Sequence, residues 1–274
     1  TTNATTSVIS ITPHATLRSD TGIVKIDLSG DTNATGSNVV NMTSMTDTGA
    51  FEVIGSAGID TIDAEETAPT TIKGGQGIDV IDLTGGTTVD ILDVTGAHGT
   101  GGTLANNHYD TVANFVLAND LIKLDGDATT VTTASGAAAA VEDEATAAAN
   151  ANGAAYDLAA ALTADTNALD LVTLDTAVLT NRNNANLDAG GTINDGTELL
   201  KALVASGAGK TASSITVDNA NDTFYLLTDD GIDSYLYFVD SGDNTAVVAA
   251  EIQLVTDFNG VLLDAMTTSE ISIA

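Results

Sequence analysis

The sequence predicts a mainly β fold: a parallel β-solenoid over residues 1–127, an Ala-rich helical segment over 128–165, and a smaller α+β region with a β-hairpin over 166–274. Three observations carry that prediction. Short strands with period-2 alternation recur between Gly, Asn, Asp and Thr turns in the first part. An Ala-rich run then displaces the β-branched residues. Finally, bulky aromatic residues collect around a strong hairpin turn.

In the first part, strands are expected within Gly22–Gly30, Ser37–Met45, Ala50–Gly58, Asp60–Ala64, Asp79–Gly85 and Thr88–Gly96. Within Asp79–Leu83, alternation sends Ile81 and Leu83 to one face and Val80 and Asp82 to the other. No Asn-Gly or Asp-Gly hairpin signal separates clean strand pairs here, so stacked rungs fit better than hairpins. The middle segment, "ASGAAAAVEDEATAAANANGAAYDLAAAL", is expected to be helical because Ala is the best helix former, with Gly153 as a weak point. The last part is expected to hold a strand (Ala168–Leu174), a helix (Asp195–Gly207, with Leu199, Leu200 and Leu203 on one face) and a hairpin. Its strands, Asp222–Thr228 and Ser234–Asp240, flank Asp229, Asp230 and Gly231, and Glu251–Phe258 adds a third. These three strands contain three of the five Tyr and three of the five Phe, so the aromatic core belongs there.

Charge narrows the function. The chain has 38 acidic and 7 basic residues, a net charge of -31. Such a surface repels nucleic acid and anionic lipid, which sets aside nucleic-acid binding and membrane insertion. It also repels itself, and the compact state needs relief from high salt or from bound multivalent cations. There is no Cys, so no disulfide braces the chain. No apolar run is long enough for a transmembrane helix, and no cleavable secretory signal is visible from Thr1 onward.

The motif that carries chemistry is the nonapeptide G-G-x-G-x-D-x-U-x, in which U is apolar. Gly74 to Asp82 matches it at every specified position; Gly55 to Asp63 departs only at Ser56; Gly85 to Asp93 has Thr88 where a glycine is expected. Glycine lets the backbone turn with φ > 0 and brings carbonyls close to a neighbouring rung. The sixth-position Asp adds a carboxylate. Calcium takes six to eight oxygen ligands at about 2.3–2.6 Å, which carbonyls and carboxylates of stacked turns can supply. The candidate ligands are therefore Asp60, Asp79 and Asp90, with Gly55, Gly58, Gly74 and Gly77, and with Asp63 and Asp82 at the ninth position. The spacing places Asp79 directly over Asp60 on one edge and Asp90 on the opposite edge, with Ile62, Ile81 and Leu92 pointing inward. Plain Gly-Asp turns are the alternative.

These repeats resemble the calcium rungs of repeats-in-toxin proteins exported by bacterial type I secretion. Asp110 to Gly126 looks like that family's closing pattern D-x-[IV]-x-x-F-x-x-x-x-D-x-I-x-[IL], matched at Asp110, Val112, Phe115, Asp120, Ile122 and Leu124. Asp222 to Val261 is similar to C-terminal regions of type I secreted and surface-layer proteins. The resemblance implies a calcium-binding β-roll that folds after export, and a secreted, extracellular protein of the cell surface. The short, degenerate array implies a lattice or filament subunit. The expected function is a structural, self-assembling surface-layer protein; a calcium-dependent adhesin or extracellular filament subunit, and the non-catalytic tail of a secreted hydrolase, are the alternatives. Expected partners are copies of the chain itself and a cell-surface glycan or lipopolysaccharide.

A second loop, Asp240 to Glu251, puts Asp240, Asn244 and Glu251 at the first, fifth and twelfth positions of an EF-hand-like sequence. It lacks the central glycine, and a polar hairpin loop is the alternative. No catalytic constellation is visible: His14, His98 and His108 form no cluster, and neither H-E-x-x-H nor G-x-S-x-G occurs. Gly207 to Ser213, "GAGKTAS", echoes a phosphate loop but reads as a helix end and turn. No enzyme activity is expected.

Overall fold

The computed structural model describes residues 8–84, 86–96, 109–124, 141–143, 156–157, 170–174, 196, 199–200, 215–216, 223–229, 232–241, 246–263 and 271–273. These residues are mainly β. In the first part the strands are β1 (Ser10–Ile11), β2 (Lys25–Asp27), β3 (Ser37–Asn41), β4 (Phe51–Ile54), β5 (Ile59–Asp63), β6 (Thr70–Lys73), β7 (Val80–Asp82), β8 (Ile91–Asp93), β9 (Asp110–Ala113) and β10 (Leu121–Leu124). One short helix, α1 (Leu17–Thr21), lies between β1 and β2 and ends on Gly22 in the left-handed region.

Successive strands alternate between two sheets. The odd-numbered strands β1, β3, β5, β7 and β9 pair in parallel, each with the one two places on. The even-numbered strands β2, β4, β6, β8 and β10 do the same in the second sheet. Parallel pairing in register stacks like residues on like. Val40, Ile62, Ile81 and Val112 form one inward column, and Ile26, Val53, Ile72, Leu92 and Ile122 form its counterpart; all of them are buried in a single core. The expected alternation holds: Ile81 and Leu83 are buried, while Val80 faces out. β6 is a strand the composition hides. Thr-Thr-Ile-Lys offers one apolar residue between Pro69 and a glycine pair, and pairing on both sides, with β4 and β8, holds it extended.

The later strands are β11 (Val141–Asp143), β12 (Tyr156–Asp157), β13 (Asp170–Leu174), β14 (Ile215–Thr216), β15 (Thr223–Asp229), β16 (Ser234–Asp240), β17 (Ala246–Val247), β18 (Ile252–Asn259) and β19 (Ile271–Ile273). The hairpin forms as expected, β15 against β16, but Asp229 is drawn into the strand opposite Ser234. β18 joins the two parts of the chain: it runs antiparallel to β16 and parallel to β9. The first sheet thereby becomes ten strands, ordered β1-β3-β5-β7-β9-β18-β16-β15-β13-β11, and β19 extends the second sheet beyond β10. Phe258 continues the inward column past Val112 and packs edge-to-face on Phe115. β12, β14 and β17 form a small third sheet.

The expectation of helix in the Ala-rich segment is corrected where the segment is described. Val141–Asp143 and Tyr156–Asp157 are extended, because β11 pairs with β13 and β12 with β14, and these ladder bonds outweigh the helix preference of the surrounding Ala. The rest of that segment lies outside the described residues. Of the expected helix at Asp195–Gly207, Leu199 and Leu200 are helical and buried, and the Leu200 N–H donates to the Gly196 carbonyl over 2.9 Å; Leu203 and Gly207 lie outside the described residues.

The inward columns should dominate stability. Ile81→Ala should cost about 2–5 kcal/mol by leaving a cavity between Ile62 and Val112, whereas Val80→Thr on the outer face should stay within about 0.5 kcal/mol. Denaturant unfolding of both variants checks this.

Candidate metal centre

In each rung the pattern Asp-x-apolar sends both residues to the inward side, since residues i and i+2 share a face of a strand. Asp60 lies beside Ile62, Asp79 beside Ile81, Asp90 beside Leu92, Asp110 beside Val112 and Asp120 beside Ile122, and every one of these aspartates is buried. Parallel register then stacks the carboxylates into two ladders, one on each edge of the paired sheets.

The first ladder runs through the starts of β3, β5, β7 and β9. The Ile9 N–H donates to Asn38 Oδ1 (3.0 Å), the Asp60 N–H to Asp79 Oδ1 (2.7 Å), and the Asp79 N–H to Asp110 Oδ1 (3.2 Å). Each side chain thus receives the backbone N–H of the rung before it. The second ladder lies on the opposite edge, at the starts of β6, β8 and β10. The Thr70 N–H donates to Asp90 Oδ1 (2.7 Å) and the Asp90 N–H to Asp120 Oδ1 (3.0 Å). Asp60 and Asp79 are therefore neighbours, and Asp90 is on the far edge, as their spacing predicts.

The glycines explain why the first ladder can close up. Gly75 and Gly77 have φ of 108° and 117°, which side chains rarely tolerate. The Gly77 backbone lies under the Gly58 carbonyl, and Gly55 lies under the Gly74 carbonyl, so no Cβ fits at either. A Cβ on Gly74 would stand 2.5 Å from both Asp79 Oδ2 and Asp110 Oδ2, which places these two oxygens within about 5 Å of each other. Two carboxylates thus meet over Gly74, and the Gly58 carbonyl lies beside Asp79 at Gly77. The donor set is all oxygen, which suits a hard cation such as calcium.

Hydrogen bonding separates two kinds of rung. Asp60 Oδ2 accepts the Ser56 N–H, and Asp120 Oδ2 accepts the Val116 N–H at 2.7 Å, so each closes its own turn. Asp79 Oδ2 and Asp90 Oδ2 have no hydrogen-bond partner and are buried. These are the rungs that begin with Gly-Gly. A buried carboxylate without a partner costs several kcal/mol unless it holds a proton or meets a cation. Burial accordingly raises Asp60, Asp120 and Asp90, the last to about 7 with help from Asp120; burial and the charge of Asp110 raise Asp79; and burial raises Asp110. Among the described residues, no three His, Cys, Asp or Glu side chains converge on one point, so any ion here would be held by a carboxylate pair and neutral oxygens.

The remaining candidates lie elsewhere. Asp63 and Asp82 stack on each other at the far ends of β5 and β7, on the outer side of their strands, and so stand apart from Asp60 and Asp79. Asn41 donates to Asp63, and Asn114 and the Thr84 N–H donate to Asp82. Glu251 accepts the Val248 N–H at 2.8 Å and caps a 3-10 turn; Asp240 ends β16; Asn244 lies outside the described residues. His98 and His108 also lie outside them. Sequence reading missed Asp110 and Asp120 as ladder members. The signal was present, since Asp110-Thr111-Val112 and Asp120-Leu121-Ile122 repeat the Asp-x-apolar pattern of Asp60 to Ile62. Asn38-Val39-Val40 repeats it with a neutral amide, which ends the first ladder without a charge.

Two outcomes follow from this geometry. Gly74→Ala should destabilise by about 2 kcal/mol or more, through its clash with the Asp79 and Asp110 carboxylates, while Gly30→Ala, which meets nothing within 4 Å, should be near neutral; thermal melts of both variants compare them. Asp90 and Asp110 bind protons more tightly folded than unfolded, so their contribution is fully present below the ordinary carboxyl range near pH 4 and is lost as pH rises through about 7. In chelator, the melting temperature should therefore fall between pH 5 and pH 8, and a flat or rising profile would contradict the buried ladders. No family model, no curated protein and no solved structure matches this chain.

Proposed function

We propose that this chain is a secreted, calcium-dependent structural protein that assembles with copies of itself into a bacterial surface layer, and that its alternating parallel strands form a calcium β-roll. The observation that carries the reading is the first ladder: buried carboxylates stacked at successive rungs, with Asp79 Oδ2 left without a partner over a glycine cradle. Asp79 and Asp110 would hold the ion, with the Gly74 backbone against both carboxylates and the Gly58 carbonyl against Gly77 beside Asp79. Calcium supplies the positive charge that the ladder lacks. Every other part of the arrangement belongs to the chain: glycines that admit the carbonyls, strands that fix the register, and apolar columns that exclude water.

The same reasoning extends to assembly. With a net charge of -31, copies of the chain repel one another, and divalent ions between acidic faces would reverse that repulsion. A cell-surface glycan or lipopolysaccharide is the proposed anchor, and export by type I secretion would deliver the chain unfolded to a calcium-rich exterior.

Calcium at millimolar concentration should raise the unfolding free energy by several kcal/mol relative to excess chelator, through mass action. A difference below about 1 kcal/mol would overturn the calcium reading. Asp79→Asn should weaken calcium binding at least tenfold by calorimetry, and Glu66→Gln, on an exposed side chain, should not. Ordered two-dimensional arrays in electron micrographs that disperse on chelation would support assembly; a monomer at all calcium concentrations would contradict it.

A further inference from the structure

The second edge holds a feature that the Gly-Asp repeat does not account for. Glu65 follows β5 in the turn that leads to β6. It is completely buried, and neither carboxylate oxygen has a hydrogen-bond partner. The turn stacked on it, Gly86 to Asp90, leads into β8. The two turns are in contact, since a Cβ on Gly86 would lie 3.2 Å from the Glu66 carbonyl and 3.3 Å from Thr88 Oγ1. That second turn contributes two more buried oxygens without partners, Asp90 Oδ2 and Thr88 Oγ1. Four orphaned oxygens thus belong to two adjacent turns.

The charges around them are nearly all negative. Asp47, in the turn before β4, and Asp90 both act on Glu65, and among the described residues Arg18 is the cation that opposes them. Asp47 is already engaged, accepting the Arg18 and Ser19 N–H groups. Asp90 Oδ1 is engaged with Thr70. Among the described residues, Glu65 and Asp90 Oδ2 are therefore left buried without a hydrogen-bond partner, with Arg18 set against the charges of both Asp47 and Asp90 at Glu65. Glutamate supplies a carboxylate from the turn itself, where the corresponding first-edge turn carries Gly74, Gly75 and Gly77.

We propose that Glu65, Asp90 and Thr88 form a second divalent-cation site, separate from the glycine-cradled ladder and specific to the edge on which Glu65 lies. Two carboxylates would neutralise one calcium ion, and the hydroxyl and nearby carbonyls would fill its remaining positions. Burial, with Asp47 and then Asp90, raises the Glu65 carboxyl to about 7. The proposal takes the identity of the ion from the calcium reading above, but its residues and its edge are independent of the first ladder.

Native mass spectrometry of the full chain titrated with calcium, paired with calorimetry, separates the two. Glu65→Gln should lose one bound ion, or weaken one class of sites at least tenfold, and keep the ions that Asp79→Asn removes. Without calcium, Glu65→Gln should melt higher than wild type at pH 8, because a buried charge is gone. Thr88→Val serves as a milder variant and should weaken the same class of sites severalfold. An unchanged ion count and affinities within twofold for both Glu65→Gln and Thr88→Val would overturn this site while leaving the first ladder standing. A wild-type chain that binds no calcium would overturn both.

Discussion

Parallel pairing in register is the constraint on which the rest of this molecule depends. It places each residue over its counterpart one rung away, so any chemistry at one position is repeated in a column. For Ile62, Ile81 and Val112 the repetition is favourable, since apolar area is buried on both sides. For Asp60, Asp79 and Asp110 it sets like charges against each other inside the protein, where they would ordinarily be excluded. Backbone N–H groups at the strand starts meet part of this demand. The unpartnered oxygens of Asp79, Asp90 and Glu65 mark where they fall short.

Much of this arrangement was legible in the sequence, because both its periodicities are local. Alternation fixed which of Val80 and Ile81 faces inward, and the interval from Asp60 to Asp79 matched the return of the chain to the same edge. Other parts were hidden for physical reasons. Asp110 joins the ladder only after a long excursion from β8, so spacing could not place it. β6 carries little hydrophobic signal and is extended by its neighbours. Glu65 looks like an ordinary surface residue beside Glu66, and only the stacking of turns buries the first while exposing the second. In the Ala-rich segment, propensity pointed to helix where β11 pairs with a distant strand.

The surface and the interior pose the same electrostatic problem at different scales. Outside, carboxylates are matched where basic residues are available: Lys123 sits 2.9 Å from Asp93, and its charge and the Thr95 bonds outweigh the burial that would otherwise raise that carboxyl. Seven basic residues cannot do this for 38 acidic ones. Under the proposed reading, dissolved divalent ions take the role that lysine and arginine play in most proteins, and stability becomes a property of the medium as much as of the chain.

β18 has a consequence for the order of events in folding. It supplies the neighbour of β9 by pairing Thr256 with Asp110, and β19 supplies that of β10. The rungs at the start of the chain can therefore nucleate locally, but their exposed last edge stays open until residues near the opposite end arrive, at the entropic cost of closing a long loop. An unclosed parallel edge is a template for mispairing. Without β18 that edge would stay bare, and β9 would be paired on one side alone.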